Sequence, residues 1–167
     1  MIHGFRLGMG AFCGKALFYI PYALSDVSSL MKSSVSPDSV ESQIEVTTFD
    51  AFARQYHLKD VFVKVDVETA EFEFLQGAKE ENHRIRFLLI EILRDAHAKG
   101  LVKKLCEVLG ANAYYLGKKQ LSFSNEGEFS YEPGYYHWLF CRESPEQLRA
   151  MLAPFGMRVI KPKLVQR

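Results

Sequence analysis

The stretch KVDVETAEFEFLQGA, Lys64–Ala78, decides how the rest of the chain is read. With the preceding VFV it opens as a strand, because Val61, Phe62, Val63, Val65 and Val67 are β-branched or aromatic. Lys64, Asp66 and Glu68 hold every second position of that run, which puts three charges on one side of the strand. Charges on an otherwise apolar strand are costly unless they are paired or used. The period then changes. Ala70, Phe74 and Ala78 recur at helical spacing, so TAEFEFLQGA reads as a helix with one apolar face.

Working outward, RFLLIEIL (86–93) is a second, strongly apolar strand, and GYYHWLFCR (134–142) is another. Between them HAKGLVKKLCEVLG gives a helix with Leu101, Val102, Leu105, Cys106 and Leu109 inward, stopped at Gly110. YYLGKKQLSFS suggests two short strands around Gly117. Ser144, Pro145 and Gln147 mark a helix start, and Leu148, Met151, Leu152 and Phe155 are expected to form its buried stripe. Upstream, ALFYIPYALSD (16–26) reads as a strand, the Ser-rich residues 27–43 as a surface loop and IEVTTF as extended chain. Thr47 with Asp50 three residues on looks like a helix-capping pair. Residues 1–15 read as Gly-rich and irregular. Their GMGAFCG is a poor phosphate loop, since no strand precedes it and no helix follows.

Strands alternating with helices imply an α/β sheet with helices on both faces. Ligands of such sheets bind beyond the carboxyl ends of the strands. Asp66 and Glu68 lie at that end of one strand, and Glu91 near that end of the next.

The chain of 167 residues, 48% hydrophobic and 25% charged, suits one domain over 1–167: an irregular 1–15, a core over 16–142, and a helix and tail over 143–167. A net charge of +1 gives no basic stripe for nucleic acid. Three scattered cysteines, Cys13, Cys106 and Cys141, have neither disulfide nor zinc spacing and fit a cytoplasmic setting. The apolar run near the N-terminus is split by Lys15 and Pro21, so no membrane partner is expected.

Two readings of Asp66 stand side by side. A carboxylate beside a reacting hydroxyl can take its proton; equally, Asp66 can pair with Lys64, about 6.6 Å away along the strand. Glu68, Glu71 and Glu91 read first as structural residues, with Glu68 near a helix N-terminus. Three carboxylates, Asp66, Glu68 and Glu91, are also what a metal-dependent hydrolase would use, but the histidines share no ligand spacing.

VTTFDAF, VKVDVETAEFEFLQGA and RFLLIEIL together resemble the FkbM-type family of S-adenosylmethionine-dependent methyltransferases. Thr47, Thr48 and Asp50 match the family's "TTLD". Lys64, Asp66, Val67, Glu68, Ala70, Glu71, Leu75, Gly77 and Ala78 match "K-I-D-V-E-G-A-E" with its following "L-x-G-A", and Glu91 matches the acid that ends the next strand. YALSD (22–26) and HWLFC resemble flanking elements. The family's Gly is Thr69 here. The resemblance implies a Rossmann-like class I methyltransferase sheet with the Lys64 strand as strand four. It implies S-adenosylmethionine as cofactor and a small-molecule acceptor, the hydroxyl of a sugar or secondary metabolite. By position, Asp66 and Glu68 sit beside the methyl-transfer site, Ser25 and Asp26 near the adenine, and Lys64, Glu71 and Glu91 on the acceptor side or in structural roles; no metal is implied. The family's first strand, Gly-rich loop and acidic ribose ligand have no counterpart in residues 1–15, so an N-terminally truncated sheet is expected, with weak cofactor binding. A non-catalytic fragment self-associating through an open sheet edge is the alternative.

Overall fold

The computed structural model describes residues 2–20, 38–67, 70–94, 96, 100–124 and 134–160. The chain is a mixed α/β protein whose contacts divide it into two compact units, Met1–Lys59 with Asp66–Arg84, and Asp60–Val65 with Ile85–Arg167.

In the first unit, β1 (Gly8–Met9), β2 (Gly14–Ile20) and β3 (Val40–Thr47) form a sheet of order β1-β3-β2. β3 pairs in parallel with β1 and antiparallel with β2. The sequence reading is revised at two points. Residues 1–15 are not wholly irregular, because β1 and the start of β2 fall inside them. The surface loop expected over 27–43 gives way to β3 from Val40 on. Polar Glu41, Ser42 and Gln43 stay in the ladder because this hairpin leaves most of its side chains at least partly in water. Residues 21–37, including the rest of the strand expected over 16–26, lie outside the described residues.

α1 (Phe49–Gln55) follows β3 directly. Its N-cap is Thr48, one residue later than the Thr47–Asp50 pairing suggests, because Thr47 still belongs to β3. The Thr48 hydroxyl accepts from Ala51 N–H at 3.1 Å. α2 (Glu71–Gln76) starts after Ala70, with no side-chain cap. Ala70, Phe74 and Ala78 are buried, as the helical spacing requires, and the Phe74 ring meets Phe49 edge-on at 6.2 Å.

The second unit is one sheet. Its strands are β4 (Val61–Val65), β5 (Ile85–Glu91), β6 (Asn112–Gly117), β7 (Gln120–Phe123), β8 (His137–Cys141) and β9 (Arg158–Ile160), in the order β4-β5-β8-β6-β7-β9. β4–β5 and β7–β9 are parallel; β5–β8, β8–β6 and β6–β7 are antiparallel. α3 (Leu101–Leu109) ends at Gly110, whose left-handed φ of 56° suits glycine. α4 (Pro145–Leu152) carries the capping box read from Ser144 and Gln147.

Alternation gives this sheet two unlike faces. Leu88 and Ile90 of β5 and Trp138 and Phe140 of β8 are almost wholly buried; α3 packs against β6 and β8. Phe87, Leu89 and Leu139 point the other way and are only half-buried. On their side α4 contributes Leu148 to a cluster with Tyr114, Leu121, Cys141 and Val159. The stripe expected on α4 holds only in part. Leu148 is buried, but Met151 is 42% and Phe155 78% exposed. The helix ends at Leu152, and a 3-10 turn, Ala153–Phe155, takes Phe155 off its inner face.

Candidate active site

The residues that carry the family pattern in the first unit fall into two groups. One group builds the scaffold. Asp50 is buried, and its two carboxylate oxygens accept from Glu80 N–H at 3.1 Å and Glu81 N–H at 2.8 Å. Its own N–H donates to Gly77 O at 2.9 Å. Asp50 therefore ties the start of α1 to the turn after α2, and three backbone groups are satisfied by one residue. Gly77 is fixed by a close approach. A Cβ there would stand 2.0 Å from Gly10 O and 3.2 Å from Thr48 Cβ. Gly10 is held in place by its N–H bond to Thr47 O at 2.9 Å. The poor phosphate loop GMG thus has a packing task against the end of α2.

The other group is acidic and lies around the start of α2. Asp66 is exposed one residue beyond β4. Glu71 is buried in the first turn of α2, where the helix dipole favours a carboxylate. Its neighbour Glu73 has one carboxylate oxygen, Oε2, buried without a hydrogen-bond partner among the described residues. Glu68, Ser25 and Asp26 lie outside the described residues.

In the second unit, Lys64 is exposed on β4 in register with Leu89. Glu91 is half-buried at the carboxyl end of β5 and sits directly opposite His137 of β8. Beyond that pair Ile92 N–H donates to Tyr136 O at 2.8 Å. That bond marks Ile92 and Tyr136 as the hydrogen-bonded pair, so Glu91 and His137 form the intervening pair whose side chains come closest. Sequence reasoning set His137 aside with the other histidines, which share no ligand spacing. Counting back by twos from Leu139 would have placed it on the face opposite Trp138.

The thiols divide by environment. Burial pushes Cys141 up to about 12 and Cys106 up to about 11, which makes both poor nucleophiles. Cys13 is exposed, with Sγ 3.7 Å from Thr47 Oγ1 and 3.9 Å from Thr48 Oγ1. A hydrogen bond from the Thr48 backbone, then one from the Thr47 side chain, lowers its pKa from the ordinary thiol value.

Among the described residues, no group of three or more His, Cys, Asp or Glu side chains is placed to hold a metal ion. None of their helices is long and apolar enough to cross a membrane.

A family model described as the methyltransferase FkbM domain matches residues 12–117. That span runs from the turn before β2 to the end of β6 and contains Thr48, Asp50, the whole of Lys64–Ala78 and Glu91. Searches of curated proteins and of solved structures gave no match. The match covers well over half of the chain, and the chain belongs to the FkbM methyltransferase domain family.

Proposed function

We propose that the protein is an S-adenosylmethionine-dependent methyltransferase that transfers a methyl group to the hydroxyl of a small-molecule acceptor, a sugar or secondary metabolite. The observation that carries this reading is the family match across residues 12–117, with Asp66 exposed just beyond β4 inside it. The reading takes both compact units as parts of one cytoplasmic methyltransferase domain. It takes β4 as the fourth strand of a Rossmann-like sheet, with β5 beside it in parallel.

In this reading S-adenosylmethionine supplies an electrophilic methyl group when bound, and Ser25 and Asp26 stand near its adenine. The chain's own residues handle the acceptor. Asp66 and Glu68 orient the hydroxyl and accept its proton as the oxygen becomes nucleophilic. A positioned base of this kind is worth roughly 10²–10⁴ in rate.

The test is release of S-adenosylhomocysteine when the protein meets a panel of hydroxylated sugars and metabolites. Asp66→Asn should lower that release by about 10²–10⁴ while circular dichroism stays unchanged. Unchanged turnover would reassign Asp66 to a structural pair with Lys64.

A second reading rests on a separate observation. β4 is a terminal strand of the six-stranded sheet, and its Phe62 is 60% exposed. A non-catalytic protein that self-associates along β4 would fit that strand. A strictly monomeric species by light scattering would remove this reading.

A further inference from the structure

The less buried face of the six-stranded sheet holds a cavity of about 340 Å³. It is walled by side chains from Phe62, Phe87, Leu89, Leu139, Met151 and Leu152 and their apolar neighbours, with no polar surface exposed to it. Its size lies at the small end of ligand sites, roughly 300–1,000 Å³. Two of its walls, Met151 and Met157, are flexible thioethers that adapt to irregular apolar shapes.

The same face changes character along its strands. On β5 the row Phe87, Leu89 continues to Glu91, and on β8 the row Leu139 continues to His137. On β4 the row Phe62 continues to Lys64. Each step of two residues is about 6.6 Å. The apolar rows of β5 and β8 therefore end, one side-chain row beyond Leu89 and Leu139, in a carboxylate and an imidazole, while the Lys64 ammonium on β4 stands level with Leu89. These polar groups and the apolar trough lie in one compact unit.

We propose that this trough binds a molecule with an apolar body and a hydroxyl at one end, held with the hydroxyl against Glu91. The binding does not rest on the methyltransferase reading. Glu91, directly opposite His137 at the end of β5, accepts the hydroxyl's hydrogen bond. The apolar walls exclude water from the body of the ligand and select against a free sugar, which would lose its hydrogen bonds there.

The probe is a series of straight-chain alcohols, butanol to octanol, titrated into the whole chain without S-adenosylmethionine. The protein carries ¹³C-methyl methionine. The signals of Met151 and Met157 should shift saturably, with affinity rising about fourfold per methylene. Phe62→Ser, at an exposed wall, should weaken octanol several-fold with the other methionine signals unmoved. Octanol should bind more tightly than its methyl ether; that preference should vanish in Glu91→Leu and survive in Glu91→Gln. Affinity independent of chain length overturns the proposal, as does a preference untouched by Glu91→Leu. So does a concentration-dependent dimer, by light scattering, that Phe62→Ser dissolves, because the face would then be covered by a second copy. Failure here leaves methyl transfer standing. Absence of turnover with intact binding removes the enzymatic reading instead.

Discussion

At the scale of single residues, the family pattern mixes two kinds of position, and their surroundings separate them. Gly77 is retained because no side chain fits between the end of α2 and the Gly10 carbonyl. Gly77→Ala must push that backbone aside. It should cost at least about 2 kcal/mol, read from the urea midpoint, since overpacking against backbone is not relieved by rotamer change. Asp50 is retained for the two amides it satisfies. Neither residue reports on chemistry, although both are as prominent in the pattern as Asp66. Among the thiols, Cys13 alone has a lowered pKa, while Cys106 and Cys141 are raised by burial. Thiolate is the reacting form and its fraction grows as pH rises through the pKa. At pH 8 iodoacetamide should therefore modify Cys13 first, with the other two cysteines reacting only on unfolding. Peptide mapping that found Cys106 or Cys141 modified as fast as Cys13 would contradict this.

At the scale of elements, the best-read segments were those whose start, stop and inner face agree. α4 is one. Ser144 Oγ accepts from Gln147 N–H at 3.3 Å, and Ser144 N–H donates to Gln147 Oε1 at 2.7 Å, as the Ser-Pro-Glu-Gln order implies. Ser144→Ala should cost about 1 kcal/mol, measured as a shift in the denaturation midpoint at constant m-value. α3 is another, with Leu101, Val102, Leu105 and Leu109 buried and Gly110 ending it. The errors have local causes too. Thr47 and Thr48 both carry the right hydroxyl, and only the extent of β3 decides which one caps α1. Glu41, Ser42 and Gln43 looked like loop because they are polar, but a ladder to Leu17–Tyr19 needs only backbone groups. Met151 and Phe155 share α4's apolar spacing, yet the chain turns away after Leu152 before Phe155 can pack.

At the scale of the whole molecule, the chain passes from the first unit to the second at β4, back to the first for α2, and on to the second at β5. β4 pairs with β5 although the residues between them, Asp66–Arg84, belong to the first unit. A fragment of residues 85–160 lacks β4 and leaves one edge of β5 unpaired. Trp138 is the single tryptophan and is fully buried in this unit. Its emission should shift to the red in that fragment relative to the whole chain, with loss of cooperative unfolding. A native-like spectrum would show that β4 is dispensable. The sequence by itself determined the family, the alternation of strands and helices, the strand that leads into Asp66, and the capped helices, because these rest on spacing along the chain and on local hydrogen bonds. Only the tertiary structure decided which face of the sheet stays half-open, that His137 faces Glu91, and why Gly77 and Asp50 are needed. Those depend on strand register and on backbone approaches between residues 20 to 70 positions apart, and no local period encodes a pairing partner.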